Sequence, residues 1–164
     1  MTSEEAQAAS EMVSISRVLD APPELVYRAF VDPDELAQWW GPEGNWAPRE
    51  TIESDPRVGG HLRLEEKSSE LPDLQVPIEI TFTEVIENEL LAGDMVVNRP
   101  RLPDWPAAVL RSTLRLEFHP EPGDRTRLEI RQGPFTGREL EGHAGGWGEQ
   151  LAKLTRHLLT SQDR

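Results

Sequence analysis

Leu140, Ala144, Trp147, Leu151, Leu154 and Leu158 are spaced 4, 3, 4, 3 and 4 residues apart, the signature of one long amphipathic helix at the end of the chain. Ahead of it, from Ala47 to Arg131, helical periodicity is absent and short alternating runs are separated by turn residues. Ile78, Ile80 and Phe82 alternate with Glu79, Thr81 and Thr83; Leu114, Leu116 and Phe118 alternate with Thr113, Arg115 and Glu117. Such a meander buries one face and wets the other. A sheet with one apolar face and a long helix with one apolar stripe satisfy each other when the helix lies across the sheet.

The alternating runs predict strands at about 47–54, 61–67, 76–86, 89–97, 109–119 and 125–132, preceded by a first strand in VSISRVL, Val13 to Leu19. Two short helices separate that first strand from the meander. Asp20 is positioned to cap one that carries Val26, Ala29 and Phe30 as its stripe. The second has Asp32 as N-cap, Pro33 at the first helical position and Glu35 completing a capping box. Leu36, Trp39 and Trp40 form its apolar side, and Gly41-Pro42 ends it. EPGD at 121–124 predicts a type II turn, with Gly123 at the position that needs positive φ.

A length of 164 residues suits one domain, expected over residues 12–161, with residues 1–11 as a disordered N-terminal tail. That tail has neither the basic start nor the apolar core of a secretion signal, and the chain has no cysteine, so a cytoplasmic location is expected. No window is apolar enough for a membrane span, so no membrane insertion is expected. A net charge of −13, with acidic residues spread along the chain and no basic cluster, argues against nucleic acid as a partner.

Motifs that announce chemistry are missing. The glycines at 142, 145, 146 and 148 form no phosphate-binding pattern. His61, His119, His143 and His157 show no metal-ligand spacing, so neither metal nor cofactor is expected. There is no nucleophile elbow, so no catalytic residue is assigned. Strand alternation places several of Glu50, Glu65, Glu66, Glu84 and Glu117 on the wet face. Tryptophan is the unusual signal: five, at 39, 40, 46, 105 and 147, against one tyrosine. One of them, Trp105, sits in NRPRLPDWPAA, residues 98–108, a loop stiffened by three prolines.

Four segments carry a resemblance: RVLDAPPELVYRAFVDPDELAQWWGP (Arg17 to Pro42), RVGGHLRL (Arg57 to Leu64), ITFTEVIENELL (Ile80 to Leu91) and EGHAGGWGEQLAKLTRHL (Glu141 to Leu158). In this order they resemble the family related to the C-terminal domain of the heat-shock-protein-90 ATPase activator, within the START-like, or SRPBCC, superfamily. The resemblance implies an α+β helix-grip fold, β-α-α-β-β-β-β-β-β-α, with a curved antiparallel sheet wrapped around the C-terminal helix and a cavity between them. Members of that superfamily bind lipids, polyketides, hormones and other apolar molecules, and some are cyclases or hydrolases.

On that fold the leading expectation is a cavity for a small apolar or aromatic ligand, lined by Trp39, Trp40, Leu64, Phe82, Met95, Leu114, Trp147 and Leu151. Trp105 and Phe135 would shape the mouth, and His143 or Gln150 would anchor the ligand's polar group. Two other readings use the same scaffold: an enzyme with His143 or a buried carboxylate as acid-base group, and a co-chaperone-like interaction module presenting its acidic surface. A homodimer is also compatible with the sequence.

Overall fold

The structure, a computed structural model, describes residues 11–162. The tail expected over 1–11 lies outside them except for Glu11, which instead opens the first strand and pairs with Phe135. The elements run β1 (Glu11–Leu19), α1 (Pro23–Val31), α2 (Pro33–Trp39), β2 (Asn45–Trp46) and β3 (Glu53–Ser54). β4 (His61–Ser68), β5 (Val76–Ile86), β6 (Leu90–Arg99), β7 (Ala108–Glu121), β8 (Arg125–Phe135) and α3 (Gly137–Gln162) follow.

The strands form one curled antiparallel sheet ordered β1-β8-β7-β6-β5-β4-β2, with β3 also paired to β4. Its inner face is the one the alternation marks: Ile78, Ile80, Phe82, Leu114, Leu116, Phe118, Leu128 and Ile130 are buried. α3 closes over it, with Trp147, Leu151, Leu154 and Leu158 buried against α1, α2, β1 and β8. This is the helix-grip α+β arrangement. At Gly93, opposite Phe82, a Cβ would run into the carbonyl oxygen of Thr81, so close passage of β6 past β5 requires glycine there.

Local chemistry departs from expectation at several points. The strand expected at 47–54 is broken by a 3₁₀ turn, Arg49–Thr51. Both the amide and the hydroxyl of Thr51 donate to the Pro48 carbonyl, at 2.9 and 2.7 Å, which closes a local turn in place of a ladder. Helix α1 starts from Pro22, whose carbonyl accepts from Leu25 and Val26, so the N-cap position falls on Pro22 and not on Asp20. Asp32 does cap α2, accepting from the Asp34 amide at 2.8 Å. Glu35 leaves the capping box open because the Asp32 amide already donates to Arg28 O; Glu35 reaches His157 Nε2 at 2.9 Å instead. The β7–β8 link holds three residues, since Glu121 pairs with Arg125, and Gly123 and Asp124 have φ of +83° and +54°. On α3, Ala144 is exposed rather than part of the buried stripe.

Candidate binding cavity

Two faces of α3 do different work. The leucine stripe packs down, but Glu139, Gly142, His143, Gly146 and Gln150, spaced 3, 1, 3 and 4, lie side by side on a neighbouring face. That face looks across a cavity of about 410 Å³. On the far side the wall is the sheet: Leu62 of β4, Ile78, Ile80 and Phe82 of β5, Leu91, Met95 and Val97 of β6, and Leu110, Leu114 and Leu116 of β7. Phe30, Trp40 and Pro42 close one end, and Leu102 and Trp105 of the proline loop lie over the other.

Among the residues singled out from sequence, Trp40, Phe82, Met95, Trp105, Leu114, His143, Trp147 and Gln150 line this space. Four others do not, for separate reasons. Trp39 is sealed in the core, its Nε1 donating to Ala29 O at 2.9 Å and its ring edge-on to Phe30 at 4.9 Å. Leu64 and Leu151 are core side chains. Phe135 is buried with its ring stacked on His143 at 3.9 Å, behind the wall. Trp46 is 40% exposed on the outside. The adjacent tryptophans point about 100° apart as successive positions of one helical turn, so one faces the core and the other the cavity while their rings stay 5.9 Å apart.

The wall holds a few polar groups, and most are already engaged. Gln132, on the inner face of β8, accepts from Trp147 Nε1 at 2.8 Å and donates to Ser112 Oγ and Met95 Sδ. It fixes the indole. His143 Nδ1 lies 2.7 Å from the Glu139 carbonyl, which can only accept, so the proton is on Nδ1. Gln150 Oε1 accepts from the Gly41 amide at 3.3 Å. Both expected anchors therefore also hold the backbone.

At the mouth, Arg99 pairs with Glu139 at 2.8 Å and is only 11% exposed. The guanidinium groups of Arg99 and Arg138 lie 4.7 and 3.9 Å from the centre of the Trp105 ring, and Arg138 donates to Asp104 O. These contacts fasten the proline loop to the first turns of α3.

The opposite end carries Glu66. Leu62, Leu64 and Glu66 occupy the inward positions of β4, so a carboxylate stands where the alternation calls for an apolar side chain. Sequence reasoning grouped Glu66 with the solvent-face acids; the signal available was its even spacing from Leu62 and Leu64. Trp40 Nε1 donates to Glu66 Oε1 at 3.0 Å and Asn45 Nδ2 donates to Oε2 at 2.9 Å. Burial pushes the Glu66 carboxyl above the usual glutamate range, against the pull of those two donors and of the Lys153 charge. Lys153, from α3, donates to the carbonyls of Trp40 and Asn45 and is itself held below the usual lysine value by burial.

The glycines of α3 sort by the same geometry. A Cβ on Gly142 would sit 3.7 Å from the Trp105 ring and one on Gly146 3.7 Å from Pro42, both at the cavity, whereas Cβ atoms on Gly145 and Gly148 would meet nothing within 4 Å. None of the four approaches the strands closely.

Outside the cavity, β7 and β8 bring Glu117, His119 and Glu129 together on the wet face of the sheet, a cross-strand grouping that spacing in sequence does not reveal. His119 Nε2 lies 2.9 Å from Glu117 and 3.5 Å from Glu129, whose other oxygens are taken by Arg115 and Arg127. Arg115 and His119 hold the Glu117 carboxyl below its usual range. The arrangement is a ladder of ion pairs with its positive charges already supplied.

A family profile described as "Activator of Hsp90 ATPase homolog 1-like protein" matches residues 20–158. The chain belongs to that family. Solved structures agree on the fold of this Hsp90-activator-like chain. A Chromobacterium violaceum protein is 25% identical with a TM-score of 0.72, covering 89% of this chain and 96% of its own. An AHSA1 protein from Silicibacter pomeroyi is 22% identical with a TM-score of 0.74, covering 92% and 99%. An Arthrobacter aurescens protein is 20% identical with a TM-score of 0.73, covering 91% and 86%. No curated protein matches the chain. Among the described residues, no helix is long and apolar enough to cross a membrane.

Proposed function

We propose that this member of the Hsp90-activator-like family binds a small apolar or aromatic molecule between α3 and the sheet. The observation that carries the proposal is the cavity itself: about 410 Å³, walled by aliphatic side chains of four strands, with three indoles and few polar groups. Binding sites for small molecules have this character and run from roughly 300 to 1,000 Å³. A cavity with such walls gains about 25 cal/mol for each Å² of apolar ligand surface removed from water. Its cost to the protein is accepted in the fold, since Gly142 and Gly146 keep the helix face bare where larger residues would fill the space.

Calorimetric titration with a graded set of aromatic and aliphatic molecules, 2-naphthol among them, tests this reading. Saturable one-to-one binding with a negative heat-capacity change is the expected result. Absence of saturable binding across the set would remove it.

A further inference from the structure

We propose that the ligand carries a hydrogen-bond donor, a hydroxyl or an ammonium group, and that Glu66 receives it. This rests on the cavity reading above and assigns its polar end. Two carboxylates line the cavity, Glu66 and Glu139. Glu139 is committed to Arg99 at 2.8 Å, whereas Glu66, among the described residues, has no ion-pair partner within 4 Å.

The geometry at Glu66 sets the polarity of what it can take. Each of its oxygens accepts one protein donor, Trp40 Nε1 on one and Asn45 Nδ2 on the other, and each carboxylate oxygen has a second lone pair. A ligand group meeting this end therefore finds acceptor capacity. An ether or ketone there would face an oxygen with lone pair against lone pair; a hydroxyl or ammonium would complete the carboxylate's coordination. The same two residues present their carbonyls to Lys153, so the loop from Trp40 to Asn45 is held from both sides and the carboxylate is presented in a fixed direction. A carboxyl group with restricted hydration on a mostly apolar wall discriminates strongly, because the wrong ligand leaves its acceptor capacity unmatched.

Matched probes test the assignment: 2-naphthol and 2-naphthylmethylammonium as donors, and 2-methoxynaphthalene as the donor-free body of similar size, each titrated calorimetrically into the full chain. Both donors are expected to bind roughly tenfold or more tightly than the ether, the size of effect a hydrogen bond to a charged group supports. If only one donor shows the advantage, the ligand head is of that type, hydroxyl or ammonium, and Glu66 remains its receiver. In Glu66→Met the Trp40 and Asn45 donors are left facing the cavity, so the advantage over the ether should vanish or reverse. Glu66→Gln keeps a polar group of the same shape and, with Asn45 turned over, is the control for folding; its discrimination should fall between the two.

Equal binding of all three probes by the wild-type chain overturns the assignment to Glu66 while leaving the cavity reading in place. Discrimination that survives in both variants overturns it as well. No binding of any of the three probes overturns this inference, and the cavity reading falls with it only when the rest of the graded set also fails to bind.

Discussion

The glycines of α3 allow stability and binding to be pulled apart by substitution on one helix. Gly145 and Gly148 lie in its interior, and a Cβ on either would meet nothing within 4 Å. Each costs about 1 kcal/mol relative to alanine through backbone entropy alone. Gly145→Ala with Gly148→Ala should therefore stabilise the chain by about 2 kcal/mol. At roughly 2–4 °C per kcal/mol for a domain of this size, the melting temperature should rise by about 4–8 °C. Binding of 2-naphthol should not change, because neither residue faces the cavity. Gly146→Leu gains a similar helix propensity, and its Cβ fits at 3.7 Å from Pro42, but the rest of the side chain would take up cavity space, since Gly146 is part of the lining. Its stability should match or exceed wild type while affinity falls at least tenfold. Urea denaturation and calorimetric titration on the three proteins read both quantities. A Gly146→Leu chain that binds as wild type does, or a Gly145→Ala, Gly148→Ala chain that is destabilised, would refute the division of α3 into a packing face and a cavity face.

Two further expectations follow from single contacts. Trp147→Phe strands the buried Gln132 Oε1, at a cost of about 1–3 kcal/mol for the unmet acceptor. Adding Gln132→Leu should recover part of that in urea denaturation, and a double variant no more stable than Trp147→Phe would mean that the indole's packing, not its hydrogen bond, dominates. Glu66 gives a pH signature: its folded pKa is raised, so the stabilisation it gains on protonation is complete below the unfolded glutamate value and is lost as pH rises through the folded value. The groups facing it are Trp40, Asn45 and the ammonium of Lys153. Glu66→Gln should gain stability relative to wild type as pH rises through that window, and a constant difference across it would contradict the burial argument.

The architecture was legible because it depends on periodicity. Alternation in β5 and β7 identified the inner face, and the leucine stripe identified the helix that covers it, since both patterns report which side meets the core. The site was less legible because it depends on exceptions to those patterns. Glu66 obeys the alternation of β4 in position and breaks it in chemistry, so reading the charge first sent it to solvent. Trp39 and Trp40 are neighbours on one apolar helical stripe, and the pattern does not say which of the two meets the core and which the cavity. The cavity face of α3, Glu139, Gly142, His143, Gly146 and Gln150, has no apolar periodicity to announce it.

The five indole N–H groups provide the most direct test of a ligand seated between α3 and the sheet. Three tryptophans, 40, 105 and 147, line the cavity, Trp39 is sealed in the core and Trp46 is on the outside. Two-dimensional ¹H–¹⁵N spectra recorded while 2-naphthol is added should show the Nε1–H signals of Trp40, Trp105 and Trp147 shifting together to saturation, with those of Trp39 and Trp46 nearly still. A set of five unmoved signals, or a shift confined to Trp46, would contradict it.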